Sequence, residues 1–412
     1  MIATVVTIFI LGYLLIVLEH PIQINKTATA LLTGMACWVA IALMEPEMSW
    51  GELKEGQTYL EFVSEHLSEH LSGIAEILFF LLGAMTIVEV IDSHHAFRKI
   101  TNLIQTTRII PLVWILSFLT FFMSAILDNL TASIVMVSLM RKLIHEPKLR
   151  MYIAALVVIA ANAGGAWSPI GDVTTTMLWV GGQISSTGVI KELFIPSVIN
   201  LVVPLSIVSF IVRNEKPKTS LDKNTEERVM GDNMVLFFGL GGLIFVPIFK
   251  SYTHLPPYVG MLLVLGVVWT VTELIHKAKT PELKSFYTPS HALAKIDTPS
   301  ILFFLGILLA VSALETLGIL EHFAETLTQL LGNQNLIVFF IGIASAIIDN
   351  VPLVAASIAM YDLNTFPMDH EFWIFLAYAG GTGGSIFIIG SAAGVAVMGM
   401  EKIDFVWYMK RF

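Results

Sequence analysis

Apolar stretches of about 17 or more residues, long enough to cross a lipid bilayer as a helix, recur along the whole chain. Little sequence is left between them for a soluble domain. Of the 412 residues, 56% are hydrophobic and 13% are charged, with a mean hydropathy of +0.79. We therefore predict an all-α polytopic membrane protein. The stretches are 2–19, 27–44, 74–91, 109–144, 151–182, 190–212, 233–249, 258–275, 300–316, 336–360 and 372–400.

The composition also excludes several kinds of chemistry. Cys37 is the only cysteine, so an intrachain disulfide, an iron-sulfur cluster or a thiolate zinc site cannot form. We predict no cofactor and no nucleic-acid partner for this chain. The first stretch has no basic leader and no small-residue cleavage site, which is typical of a retained helix and not of a cleaved signal peptide. We expect this chain to be a multi-pass protein of the inner (cytoplasmic) membrane, with the lipid bilayer as its partner.

The same short phrase occurs inside two of the apolar stretches. It reads SAILDN at 124–129 and SAIIDN at 345–350, which lie 221 positions apart. A carboxylate near the centre of a bilayer costs about 2.5 to 3.5 kcal/mol on insertion scales. Two such carboxylates in one local context indicate a compensating ligand, and a bound cation is the simplest one. Helix capping by Asp or Asn is the alternative, and the two roles can coexist.

The charges of the loops predict an orientation, because cytoplasmic loops concentrate Lys and Arg. The C-terminus is basic and is placed inside, and residues 213–232 are predicted to be a cytoplasmic linker. The other loops divide into two groups. The basic loops 93–109, 141–150, 213–229 and 276–299 are placed inside, and the acidic loops 45–73, 317–335 and 361–371 are placed outside.

With this orientation the chain divides into two repeats of opposite topology, 1–212 and 233–412. Each repeat holds a re-entrant hairpin, at 109–144 and 336–360, and a broken transmembrane helix, at 151–182 and 372–400. Further sequence matches support the pairing. They are Ile77–Leu81 with Ile301–Leu305, and Gly164, Gly165 and Gly171 with Gly383, Gly384 and Gly390. The helix at 190–212 has no counterpart, so the second repeat is expected to lack its last helix, as in a truncated chain.

Glycine and proline interrupt the helices of both repeats at membrane depth, where such backbone must line a cavity or be buried in protein. The side chains there are hard oxygen donors, which suit Na⁺ better than a transition metal. The position that matches Asp172 in the second repeat is Ser391, so the two halves of the site should differ. The candidate ligands are Asp128, Asn129, Thr131, Asn162, Asp172, Thr174, Thr175, Asp349 and Asn350.

Three segments carry a resemblance to a known family. LDNLTASIVM at 127–136, ANAGGAWSPIGDVTTTMLW at 161–179 and IIDNVPL at 347–353 resemble the NhaD-type sodium/proton antiporters of the ion transporter superfamily. The Asp-Asn phrases depart from the Ser-Asn-Thr of the dicarboxylate carriers in that superfamily. The resemblance implies a homodimer by analogy. It also implies functional roles for Asp128, Asn129, Asn162, Asp172, Thr174, Thr175, Ser345 and Asn350, of which Ser345 rests on the resemblance alone.

The segment HLSEH at 66–70 matches a zinc-hydrolase pattern, but its apolar stripe is typical of an interfacial amphipathic helix on the outer surface. We therefore predict no metal there beyond Na⁺ at the transport site. His66 and His70 are instead candidates for a response to pH, because histidine titrates near neutrality.

The expected function is exchange of cytoplasmic Na⁺, and also Li⁺, for external H⁺. The cations would compete for carboxylates, chiefly Asp172 and Asp128, during alternating access. One alternative is a Na⁺-coupled carrier of an organic anion or arsenite. Another is an intramembrane aspartyl hydrolase that uses Asp128 and Asp349 as a dyad, but this would explain neither the Asn partners nor the repeat. We therefore predict a transporter and not an enzyme.

Overall fold

The computed structural model describes residues 2–44, 57–97, 106, 108–213, 215, 229–277, 286–346 and 349–412, and all regular secondary structure within them is helical. The helices of the first half are α1 (Ile2–Val17), α2 (Glu19–Ile22), α3 (Lys26–Ala42), α4 (Tyr59–Ser93), α5 (Ile109–Leu127), α6 (Asn129–Leu143), α7 (Pro147–Ala166), α8 (Val173–Val180) and α9 (Ser186–Val212). Those of the second half are α10 (Asp232–Thr253), α11 (Pro257–Ile275), α12 (Pro289–Lys295), α13 (Thr298–Thr316), α14 (Ile319–Leu331), α15 (Gln334–Ser345), α16 (Asn350–Met360), α17 (Glu371–Gly383), α18 (Ala392–Glu401) and α19 (Phe405–Arg411), with a 3₁₀ turn at Ile388–Gly390.

Among the described residues, seven helices are long and apolar enough to cross a membrane: α4, α5, α7, α9, α10, α11 and α13. A pair of consecutive helices, α14 and α15, passes the same test together and bends by 112° between its two members. The shorter helices α6, α16 and α18 are apolar as well. These helices confirm the prediction of an all-α polytopic membrane protein.

Helix α4 is longer than the sequence indicated. The interfacial segment expected near residue 66 and the apolar stretch 74–91 form one continuous helix of 35 residues. It begins at a capping box, in which Thr58 Oγ1 accepts from the Glu61 amide and Glu61 Oε2 accepts from the Thr58 amide. Between Thr58 and Ile74 the sequence contains no Pro and one Gly, Gly73, so nothing ends the helix before the membrane segment.

The apolar stretches break where Gly, Pro and Asp-Asn interrupt them. Residue Asp128 separates α5 from α6, while α15 ends at Ser345 and α16 begins at Asn350. Residues 167–172 separate α7 from α8, and residues 384–391, which include the 3₁₀ turn, separate α17 from α18. Helix α19 begins at Phe405, 219 positions after the first residue of α9, Ser186. This short helix therefore lies where a counterpart of α9 would begin.

Close contacts between a broken helix and a hairpin recur in both halves. A Cβ atom added at any of four glycines would lie 2.2–2.8 Å from a backbone oxygen of the hairpin, closer than real Cβ atoms approach. The glycines of the second half and their partners follow those of the first by 219 and 221 positions. The contacts are Gly164 with Phe121 and Gly171 with Ser124, and Gly383 with Gly342 and Gly390 with Ser345. This recurrence supports the predicted pairing, while the inverted orientation of the repeats stays a prediction.

Helices α3 and α13 run parallel and pack tightly against each other. A Cβ atom at Gly34 would lie 2.4 Å from the backbone oxygen of Gly306, so the two helices approach closely there. Trp38 Nε1 donates to the backbone oxygen of Leu309 at 2.9 Å, further along the same interface. The N-terminal ends of both helices therefore lie side by side, next to the break between α15 and α16.

Candidate functional site

Asp172 lies at the break between α7 and α8 and is buried. Its extended backbone (φ −146°, ψ 149°) places it directly before α8, but its side chain does not cap that helix. The turn before Asp172 is held by a contact with α5, in which Ser168 Oγ donates to the backbone oxygen of Ala125 at 2.5 Å. The capping explanation therefore does not account for this carboxylate.

The Asp172 carboxylate accepts hydrogen bonds on both oxygens. Asn129 Nδ2 donates to Oδ1 at 2.9 Å, and Thr174 Oγ1 donates to Oδ2. Thr175 Oγ1 donates to the Asp172 backbone oxygen at 2.9 Å, which positions the first turn of α8. Within the part of the chain that the structure describes, no Lys, Arg or His pairs with Asp172.

Asn162 connects Asp172 to the second half of the chain. Its Oδ1 accepts from Asn129 Nδ2 at 3.0 Å, and its Nδ2 donates to Ser385 Oγ at 2.9 Å and to Ser391 Oγ at 3.0 Å. Three interruptions of the membrane helices, the tip of the first hairpin and the breaks of both broken helices, meet in this network. Carboxylate, amide and hydroxyl oxygens of this kind bind hard cations, and the carboxylate can alternatively hold a proton.

Asp128 and Thr131 form a separate pair. Asp128 Oδ1 accepts from the Thr131 amide and Oδ2 from the Thr131 hydroxyl, both at 2.8 Å, so the side chain caps α6. The backbone of Asp128 has φ +124°, a conformation that L residues rarely adopt and that clusters at functional sites. The structure thus brings Asn129 into the network and leaves the Asp128 carboxylate occupied by a cap.

The tip of the second hairpin holds Ser345, Asp349 and Asn350. Asp349 Oδ1 caps α16 by accepting from the Val351 amide at 3.2 Å, and Oδ2 pairs with Lys26 Nζ at 3.0 Å. Asn350 Nδ2 donates to the backbone oxygen of Gly380 at 3.2 Å. The buried Ser345 Oγ has no hydrogen-bond partner among the described residues. None of these three side chains hydrogen-bonds to Asp172 among the described residues, so the structure does not join them to the network.

A cavity of about 760 Å³ reaches from the N-terminal ends of α3 and α13 to this network. Its wall includes Lys26 and Asp349, and it also includes Ser391, which accepts from Asn162. Leu130, next to Asn129, lies on the same wall. The cavity therefore touches the network at Ser391.

Sequence reasoning missed Lys26 and Ser385 as site residues. Ser391 was recognised only as the counterpart of Asp172, and that correspondence was the signal that could have placed it. Ser385 closes the GGTGGS run at 380–385, which marks the second break. Lys26 carried no signal, because a lysine at the start of an apolar stretch is usually an anchor at the membrane surface.

The two histidines of HLSEH lie apart from this site. His66 Nδ1 is 3.9 Å from Glu69, and His70 Nε2 is 3.1 Å from Thr316 Oγ1. Across the described ranges there is no group of three or more His, Cys, Asp or Glu side chains that could hold a metal ion. His70 contacts the end of α13, but this contact does not test a response to pH, which stays a prediction.

A bundle of membrane-length helices whose breaks gather a buried carboxylate with amides and hydroxyls defines a membrane transporter. The sequence profile of the citrate transporter family matches residues 13–379. Sodium/proton antiporters 1 and 2 of Arabidopsis thaliana are 48% and 47% identical over 98% of this chain, which corresponds to 68% and 94% of the relatives. The Na⁺/H⁺ antiporter NhaD of Vibrio cholerae is 30% identical over 98% of this chain and 86% of its own length. The chain belongs to the citrate transporter family and, within it, to the group of NhaD-type sodium/proton antiporters, as its motifs predicted.

Proposed function

We propose that this chain exchanges cytoplasmic Na⁺, and also Li⁺, for external H⁺ at Asp172. The observation that carries the proposal is a buried carboxylate that receives hydrogen bonds from Asn129 and Thr174 and has no basic partner among the described residues. Such a group is costly as a bare anion in a membrane and is neutralised equally by H⁺ or by Na⁺. One group that must hold one of two cations is sufficient for exchange.

Alternating access follows from the same cost. A site loaded with Na⁺ or H⁺ carries less net charge than the empty site, so the loaded forms reorient more readily. Asn129, Asn162, Thr174 and Thr175 supply oxygens for the ion, and Asp128 lies next to Asn129 as a second carboxylate. A proton gradient directed inward then drives Na⁺ outward.

The proposal includes an arrangement of the chain in the membrane. Residues 1–212 and 233–412 form two repeats of inverted topology, with the linker 213–232 and the C-terminus in the cytoplasm. Assembly is proposed as a homodimer in the inner membrane. The recurring contacts between glycines and hairpins support the repeat, and the basic loops support the orientation.

The second candidate is a Na⁺-coupled carrier of an organic anion such as citrate. The description of the matched family favours it, and Lys26 adds a positive charge to the cavity wall. Lys26 is, however, already paired with Asp349, while Asp172 would repel an anion at the network. We therefore rank it below cation exchange.

The test uses purified protein in liposomes that contain a pH-sensitive dye and an acidic lumen. We expect external NaCl or LiCl to raise the lumenal pH, because entering Na⁺ or Li⁺ replaces a proton at Asp172. KCl and potassium citrate are the controls and should leave the pH unchanged. No response to NaCl would refute the exchanger, and uptake of labelled citrate that requires Na⁺ would establish the second candidate.

The orientation makes a separate prediction. In a Cys37→Ala background, Leu363→Cys lies in the loop placed outside, and Glu215→Cys lies at the start of the linker placed inside. We expect a membrane-impermeant maleimide to label intact cells at position 363 and to label position 215 only after the cells are opened. The opposite pattern would reverse the orientation while leaving the paired repeats in place.

A further inference from the structure

Lys26, the first residue of α3, and Asp349, the residue before α16, form an ion pair. Lys26 Nζ lies 3.0 Å from Asp349 Oδ2, although the two residues are 323 positions apart in sequence. The two side chains are 30% and 22% exposed, and both line the cavity that reaches Ser391. The pair therefore shares the cavity wall with Ser391, which belongs to the network around Asp172.

Other contacts hold each partner of this pair in place. The Lys26 amide donates to Glu19 Oε1 at 3.0 Å, and its ammonium lies 4.4 Å from the ring centre of Phe303. The second oxygen of Asp349 is engaged by the Val351 amide. Both oxygens of the Asp349 carboxylate are therefore engaged, one by a backbone amide and the other by the Lys26 ammonium.

The two residues belong to different parts of the fold. Lys26 begins α3, which is tied to α13 because Thr27 Oγ1 donates to the backbone oxygen of Pro299 at 2.9 Å. Asp349 belongs to the tip of the second hairpin, next to Asn350 and close to Ser345. A movement that carries the hairpin tip away from the N-terminal ends of α3 and α13 would separate the two charges.

We propose that Lys26 determines the specificity of the ion site. Its ammonium is a tethered cation that occupies the Asp349 carboxylate in this conformation and competes with Na⁺ for it. This inference rests on the proposed exchange of Na⁺. A partly exposed ammonium with a single carboxylate contact is displaceable, because surrounding water screens its attraction. A small cation in the cavity meets the carboxylates of Glu19, Asp297 and Asp349 on its wall, and Lys26 neutralises the last of these.

The inference predicts opposite effects for the two partners. Lys26→Gln removes the competing cation and leaves Asp349 as an extra anion in the cavity wall, so Na⁺ should bind more tightly. Asp349→Asn leaves the ammonium uncompensated, so Na⁺ should bind more weakly. The double variant restores a neutral pair and should resemble the wild type. A purely structural bridge would instead impair Na⁺ binding in both single variants.

The experiment measures the half-saturating Na⁺ concentration in the liposome assay and the rise in melting temperature of the detergent-solubilised protein with added NaCl. We expect Lys26→Gln to lower the half-saturating concentration about tenfold and Asp349→Asn to raise it by a similar factor. A factor of this size is the effect of adding or removing one unit charge across a partly hydrated cavity. Lys26→Arg should stay near the wild type, because it keeps the charge. Lys191→Gln, which removes an exposed lysine paired with Glu192, is the matched control.

Weaker Na⁺ binding in both single variants, or a double variant that behaves like Lys26→Gln, would overturn the inference. An unchanged half-saturating concentration in Lys26→Gln would overturn it as well. The melting temperature reports binding without transport, so it separates this inference from the proposed function. If the wild type binds Na⁺ but exchanges no protons, the exchanger fails while opposite shifts in the two variants still support competition by Lys26.

Discussion

Replacing Asp172 with asparagine is expected to abolish proton movement in response to Na⁺ or Li⁺. The amide has nearly the same shape, but it can neither bind a proton nor present a negative charge to a cation. Because this carboxylate is buried without a basic partner among the described residues, no neighbouring positive charge would be left unpaired. We therefore expect the variant to fold, with a melting temperature at or above that of the wild type.

The dye assay in liposomes gives the rate, and the melting temperature separates loss of function from loss of structure. Glu325→Gln is the matched control, because Glu325 is exposed on α14 and pairs only with His322 among the described residues. It should exchange Na⁺ at the rate of the wild type. Exchange by Asp172→Asn above the level of empty liposomes would show that Asp172 is not the essential carboxylate, and Asp128 would be the next candidate.

The breaks of the membrane helices could be predicted because their cause is local. Clustered glycine and proline weaken regular hydrogen bonding locally, so Gly164, Gly165 and Gly171 indicated the first broken helix without knowledge of the fold. Asp172 was predictable for a related reason. A carboxylate in an apolar stretch needs a partner, and its sequence neighbours offered hydroxyls and no base.

The contacts between distant segments could not be predicted in the same way. Asn162 reaches Ser385 and Ser391 across more than 220 positions, and Lys26 reaches Asp349 across 323. Composition and spacing describe a segment but not its neighbour in space. The sequence therefore assigned Asp349 to the ion ligands together with Asp128, whereas its carboxylate pairs with an unforeseen lysine.

Loss of the Glu401 carboxylate is expected to destabilise the protein strongly without touching the ion network. Its buried side chain, 1% exposed, accepts from Arg141 Nε at 2.6 Å and from Arg150 Nε at 2.9 Å. These contacts join α6 and α7 of the first half to the end of α18 in the second half. In Glu401→Leu the two guanidinium groups lose their shared counter-charge. Since both arginines are partly exposed and can rehydrate, we expect a loss of about 3 kcal/mol, the lower end for a broken buried pair.

The free energy of unfolding of the purified protein, from titration with a denaturing detergent, measures this loss. Glu192→Gln is the control, because it removes an exposed carboxylate paired with Lys191 and should cost about 0.5 kcal/mol or less. The triple variant Arg141→Leu, Arg150→Leu and Glu401→Leu should recover most of the stability, since no charge is then left unpaired, and its folded fraction should still exchange Na⁺. A triple variant as unstable as Glu401→Leu would contradict this explanation. The loss of stability would then come from packing around Glu401 and not from the unpaired charge of the two arginines.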